Sequence, residues 1–203
     1  SPSLIHEYLI MDQLQPLREL VVEMTKVIDK QLTERELILI SGRLLKKLIA
    51  KDDWLPAEYA IHHSDHYCQY LLHCDPLERF SVVSFVWGKG QSTPIHNHQT
   101  WGVVGILSGI EESTLFKRDN ETGKLTQGDT VTLRAGDIDE FSPEIGDIHE
   151  VKNALTNGTS ISIHIYGANI GKVKRQTFDR ETGNPSDFIS GYNSEKTPNL
   201  WNY

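Results

Sequence analysis

Residues 90–109, GQSTPIHNHQTWGVVGILSG, and residues 136–153, GDIDEFSPEIGDIHEVKN, decide how the rest of this chain is read. In the first stretch His96 and His98 stand two apart, after Gly90 and Pro94 and before Gly102, Gly105 and Gly109. Alternate side chains of a strand leave the same face, so an i, i+2 pair on a strand projects both imidazoles together. In the second stretch His149 follows Gly136, Pro143 and Gly146, and Asn153 follows it. A bare H-x-H is uninformative. A third histidine, in its own strand and behind its own glycines, lets three imidazoles converge on one cation.

Working outward, the sequence around these blocks breaks into short β-branched runs. Strands are expected near 67–73, 79–87, 93–98, 102–108, 111–118, 129–134, 137–141, 148–153 and 159–166. The breaks between them carry turn residues: Asp75-Pro76, Gly88-Lys89-Gly90, Asn120 to Gly123, Ala135-Gly136 and Asn157-Gly158. Many short strands without intervening helices point to an antiparallel sandwich or barrel. The first sixty residues read differently. Pro16 suits a first helical turn, and Leu17, Leu20, Val21, Met24, Val27 and Ile28 follow at helical spacing. Thr33 and Glu36 form a capping box for a second helix, whose expected buried stripe is Leu37, Ile40, Leu44, Leu45 and Leu48. Beyond Tyr166 the chain is polar and irregular but keeps Phe178, Phe188, Tyr192, Trp201 and Tyr203, which predicts a tail wrapped on the body.

Composition narrows the function classes. The chain has 203 residues, enough for one domain with a sizeable core, and a net charge of −8. That sign argues against nucleic acid or an anionic membrane as the main partner, while leaving room for a small anion at a local arginine. No stretch is apolar enough for a membrane span, and no basic-then-apolar leader opens the sequence. Cys68 and Cys74 lie six apart on one predicted strand, roughly 20 Å at about 3.3 Å per residue. A disulfide cannot bridge that. Two free thiols and a reducing, cytoplasmic location are the expectation.

His6, His62, His63, His66 and His73 have no partner legible in sequence and are expected at the surface or in hydrogen bonds. A second constellation lies at 160–166, SISIHIY, where Ser162, His164 and Tyr166 share one face and three isoleucines the other. This is either a solvent-facing polar row on an edge or a row aimed into a barrel. In a barrel, Ser162 would orient His164 and His164 the Tyr166 hydroxyl.

The two histidine blocks closely resemble the two cupin motifs, with one departure. The first motif usually places a Glu three or four residues beyond its second His, and here those positions are Gly102 and Val103. Three neutral imidazoles would leave a divalent metal its full charge and up to three open positions. Such a site resembles the two-His-one-carboxylate triad of non-haem iron oxygenases with the carboxylate replaced by His. It could equally hold zinc with a water nucleophile. The expected architecture is mostly β: a cupin (double-stranded β-helix, jelly-roll) barrel over residues 61–203 with its wrapped tail, and an N-terminal α-helical extension over residues 1–60, forming one structural unit.

Together with the S-x-H-x-Y strand, these features resemble the thiol dioxygenases of the cysteine dioxygenase family, over roughly residues 60–192. The resemblance implies Fe(II) held by His96, His98 and His149, and Ser162, His164 and Tyr166 serving catalysis. It further implies a small thiol and O2 as substrates, with a sulfinic acid as product. Mammalian-type members carry an early-strand Arg and a Cys cross-linked to the tyrosine. This sequence has Gln69 and Gly102 at those positions, so no Cys–Tyr cross-link is expected. It also has Arg175 nine residues past Tyr166. That arrangement is similar to bacterial 3-mercaptopropionate dioxygenases, which implies Arg175 and Gln69 as substrate-binding residues. A guanidinium can bind a carboxylate through two charge-assisted hydrogen bonds. The rival expectations are cysteine as substrate, a zinc cupin acting as hydrolase or isomerase, and a non-catalytic binding cupin. A homo-oligomer is compatible with any of them.

Overall fold

A computed structural model of the chain describes residues 12–202; His6 and Tyr203 lie outside them. Two helices come first, α1 (Gln15–Ile28) and α2 (Glu34–Leu48), and eleven strands follow. These are β1 (Cys68–Cys74), β2 (Ser81–Trp87), β3 (Ile95–His96), β4 (Gly102–Ser108), β5 (Ile110–Arg118), β6 (Leu125–Arg134), β7 (Ile138–Phe141), β8 (Ile148–Asn153), β9 (Ser160–Tyr166), β10 (Arg175–Phe178) and β11 (Pro185–Phe188). They form a five-stranded sheet in the order β1-β2-β9-β4-β7 and a six-stranded sheet in the order β11-β10-β3-β8-β5-β6. Every named pairing is antiparallel. The chain alternates between the sheets, which is the double-stranded β-helix expected.

The two sheets bury different things on their two sides. Val83, Phe85, Val104, Ile106, Phe141, Val151 and Tyr166 pack between them. On the outer side of the five-stranded sheet, Val82, Val103, Ile163 and Ile165 pack against Leu17, Leu20, Met24, Leu45 and Leu48 of the helices. The alternation in β9 therefore has a cause that sequence left open. Its isoleucines meet helices, its polar residues enter the barrel, and both faces of the strand are buried. Each isoleucine so buried contributes roughly 1.5–3 kcal/mol.

Helix α1 buries Leu17, Leu20, Val21, Met24 and Val27 as its spacing predicts. The Thr33 hydroxyl caps α2 by accepting from the Glu36 amide at 3.2 Å. The buried stripe of α2 is rotated by one position from the expected one: Ile38, Ser41, Leu45 and Leu48 face inward, and Leu37 and Leu44 are only half-buried. Ser41 makes the difference, because its small hydroxyl sits 3.5 Å from Met24 Sδ at the helix crossing.

The strands depart from expectation in three places. The stretch expected as a strand over 93–98 pairs only at Ile95–His96, because Pro94 offers no amide and the chain turns at Gln99, φ 62°. Strand β6 starts at Leu125, four residues earlier than expected, pairing Phe116, Lys117 and Arg118 of β5. The tail after Tyr166 contains the hairpin β10–β11, and β10 pairs β3. The two cysteines end β1 and are both free.

Candidate functional site

His96 and His149 are opposed across the β3–β8 pairing. His98 lies just past β3, and its ring meets that of His96, centroids 4.8 Å apart, as the spacing predicts. Asp147 holds it there. One Asp147 oxygen accepts from the His98 amide at 3.1 Å and the Gln99 amide at 3.0 Å, and the other lies 3.1 Å from His98 Nδ1. Phe141 stacks on the His98 ring with centroids 3.8 Å apart. The three histidines are buried, and one ligand atom of each lies within 4.8 Å of the others.

Their second nitrogens are spoken for. His96 Nδ1 bonds the Pro94 carbonyl at 2.9 Å, His98 Nδ1 the Asp147 carbonyl at 3.0 Å, and His149 Nδ1 the Ser113 hydroxyl at 3.3 Å. Nε2 of each ring is thus the atom left for a ligand bond, with the tautomer set by an outer partner. Burial pushes His96 down to about 4, and holds His98 and His149 well below the ordinary imidazole range, with Arg175 adding to the effect in all three. Neutral imidazoles are what a divalent cation requires. The residues fit a three-coordinate protein site with open positions.

These rings line one side of a cavity of about 410 Å³. On another wall Ser162 Oγ lies 2.8 Å from His164 Nε2, and His164 Nδ1 lies 2.8 Å from the Tyr166 hydroxyl. The row therefore points inward, on a central strand. Phe85 stacks on His164 at 4.0 Å, and Tyr67 on Trp87 at 4.8 Å, making an aromatic wall. Burial lowers His164 to about 3 and raises Tyr166 above the usual phenol range. Both are neutral at physiological pH.

Arg175 opens β10, two residues before Thr177, which pairs His96. The residue is buried, and its guanidinium donates to the Asn97 carbonyl at 3.3 Å and stacks 4.8 Å over Phe188. Its Nε has no hydrogen-bond partner. No carboxylate among the described residues pairs with it. Burial lowers its pKa, but a guanidinium stays charged. Gln69 also lines the cavity, and its side-chain amide donates to the Gly191 carbonyl, while its backbone is paired on both sides with Asn193. The tail is thereby tied against β1.

Gly102 is opposed to Tyr166 across β4–β9. A Cβ there would lie 2.3 Å from Phe141 Cζ and 3.1 Å from Tyr166 Cδ1, so Phe141 fills the space that a larger residue at 102 would need. Sequence reasoning missed Phe141, Asp147, Ser113 and His66, which lines the cavity mouth and stacks on His63 at 4.1 Å. Only Asp147 carried a signal, two residues before His149 behind Gly146.

The family described as cysteine dioxygenase type I matches residues 15–181, starting at α1 rather than at residue 60 and ending beyond Arg175. Cysteine dioxygenase type 1 of Rattus norvegicus is 24% identical over 119 residues, 58% of this chain and 58% of that protein. The Danio rerio protein of the same name is 27% identical over 128 residues, 59% of this chain and 61% of that one. The match thus spans less than two thirds of these relatives' length. Among solved structures, an uncharacterized conserved protein with a double-stranded beta-helix domain from Klebsiella pneumoniae aligns with a TM-score of 0.43 at 21% identity, covering 57% of this chain and 89% of that one. A match that runs from the first helix through all three histidines, the S-x-H-x-Y strand and Arg175 places this chain in the cysteine dioxygenase type I family.

Proposed function

We propose that the protein is a mononuclear non-haem Fe(II) thiol dioxygenase that adds both atoms of O2 to the sulfur of a small thiol carboxylate, 3-mercaptopropionate, to give the sulfinic acid. One observation carries this reading: a single cavity holds three ligand-competent imidazoles and a guanidinium with no carboxylate partner. Ferrous iron at His96, His98 and His149 would supply open positions for sulfur and oxygen and the electrons exchanged between them.

The chain's own residues do the rest. Arg175 binds the substrate carboxylate with its planar fork, which sets where the sulfur two carbons away can reach. Phe188 stacked on that guanidinium and the Tyr67–Phe85–Trp87 wall keep water from the substrate methylenes. His164 and Ser162 hold the Tyr166 hydroxyl toward the cavity, where it donates a hydrogen bond to bound substrate or oxygen. Gln69, through Gly191, keeps the tail closed over this end of the cavity. With glycine at 102, Tyr166 acts as an unmodified tyrosine.

The choice of thiol rests on what the cavity walls lack. Among the described residues no Asp or Glu lines them, so the α-ammonium of cysteine would be desolvated without an anionic partner. A thiol carboxylate without an amine avoids that cost. Oxygen uptake by iron-loaded protein with 3-mercaptopropionate and with L-cysteine, the sulfinate being identified, tests the reading. Higher kcat/KM on 3-mercaptopropionate is expected. Preference for L-cysteine would reassign the substrate, and no uptake with either thiol would end the dioxygenase reading.

A further inference from the structure

Between the two histidines of H-x-H stands Asn97, a side chain that the chemistry above leaves unused. His96 and His98 line the cavity, whereas Asn97 is buried behind its wall, as alternation along an extended segment dictates. A buried amide must find hydrogen-bond partners. Asn97 finds them on β10, the strand that opens with Arg175.

The β3–β10 register opposes Ile95 to Phe178 and His96 to Thr177, so Asn97 falls opposite Gln176. A regular antiparallel pair at such a position exchanges two backbone bonds. One is made in the usual way, the Asn97 amide donating to the Gln176 carbonyl at 3.1 Å. The return bond goes to the side chain instead, the Gln176 amide donating to Asn97 Oδ1 at 2.8 Å. That substitution leaves the Asn97 carbonyl for Arg175, whose Nη1 donates to it at 3.3 Å. Asn97 Nδ2 completes the set by donating to Gln176 Oε1 at 2.9 Å, an oxygen that also accepts from Gln99 Nε2 at 2.8 Å.

We propose that Asn97 is a positioning residue that fixes the span from the three imidazoles to the Arg175 fork, and that it thereby makes the chain length of the thiol carboxylate a selected property. The inference rests on the reading of the cavity as a thiol carboxylate site. Asn97 is joined to His96 and His98 by peptide bonds and to Arg175 by one hydrogen bond, so the path between the two ends of the site runs through a single carbonyl. Nothing longer or softer intervenes.

Held at Nη1 and stacked on Phe188 at 4.8 Å, the guanidinium has one orientation, and its Nε, which has no partner, lies on the edge left for a carboxylate. A thiolate at the metal and a carboxylate at this edge are the two ends of one short chain. Both ends are satisfied together only when the chain matches the span. With Ala at 97 the Gln176 amide has no side-chain oxygen to meet and takes the carbonyl, which restores a regular strand pair. Arg175 then loses its acceptor while β3 and β10 stay paired.

Cobalt(II)-loaded protein, titrated under argon with mercaptoacetate, 3-mercaptopropionate, 4-mercaptobutanoate and propanethiol, reads thiolate binding from the sulfur-to-cobalt absorption without turnover. The parent should bind 3-mercaptopropionate most tightly. In Asn97→Ala its Kd should rise about 10-fold, the worth of one charge-assisted hydrogen bond, and the preference among the three carboxylates should collapse. Propanethiol has no carboxylate and should bind parent and variant alike. An equal loss for all four thiols would overturn the proposal, because Asn97 would then serve the metal site alone. An unchanged ranking of the carboxylates, or a parent without preference for one length, would overturn it too. No thiolate binding by the parent would remove the thiol carboxylate reading itself and this inference with it. Gln176→Ala removes only the side-chain half of the link and should move the ranking the same way by a smaller factor; it decides if Asn97→Ala fails to fold.

Discussion

Arg175 is charged, buried and, among the described residues, without an anionic partner, a combination a protein tolerates when a ligand completes it. Replacing it with Ala should raise KM for a thiol carboxylate by roughly 10- to 100-fold, the worth of one or two charge-assisted hydrogen bonds. Bound iron, measured on the same sample, should be unchanged. Asp147 is a different kind of residue, since it holds His98 at three points rather than touching substrate. Asp147→Ala should weaken metal binding by about 10- to 100-fold, read by competition with a chelator. Both residues could be quoted from the sequence, but only Arg175 was singled out. An aspartate two before a candidate ligand histidine marks a place in the chain, and only the folded backbone shows that the ring it holds is that of His98.

At the scale of elements, β3 is two residues long and still fixes a histidine of the candidate metal site. It can, because β8 and β10 pair it from both sides. Residue periodicity could not find that shortness, nor could it find β10 and β11, whose sequences RQTF and PSDF have no alternating apolar face. They are strands because an open sheet edge beside β3 needs hydrogen-bond partners. The helices were easier to read, since each buries an apolar stripe at helical spacing. Removing the α2 cap by Thr33→Ala should cost about 1 kcal/mol, a fall in Tm of roughly 2–4 °C for a chain of this size. A thermal melt at neutral pH checks this.

For the whole molecule, the barrel interior is where burial and polar chemistry conflict. His96 and His164 are pushed from the ordinary 6.5 to about 4 and about 3, and His98 and His149 move the same way. The unfolded chain binds protons at these rings as pH falls through 6.5, while the folded chain does not. Stability is therefore complete above 6.5 and declines as pH drops toward 4. Metal-free protein should melt several degrees lower at pH 5 than at pH 7.5, and divalent metal should move the loss to lower pH. A melting temperature flat across that interval would contradict the neutral, buried state of the rings.

The sequence by itself determined the S-x-H-x-Y row, the helical start and the β-rich remainder, because each is a local repeat: two in strands, between three and four in helices; the three histidines were legible as two separate glycine-bracketed blocks. Tertiary structure alone decided that the row at 162–166 faces inward, that Asp147 holds His98 in its place, and that Phe141 occupies the room beside Gly102. Those facts depend on which strands become neighbours. Pairing partners far apart in the chain leave no periodic trace in either of the segments that meet.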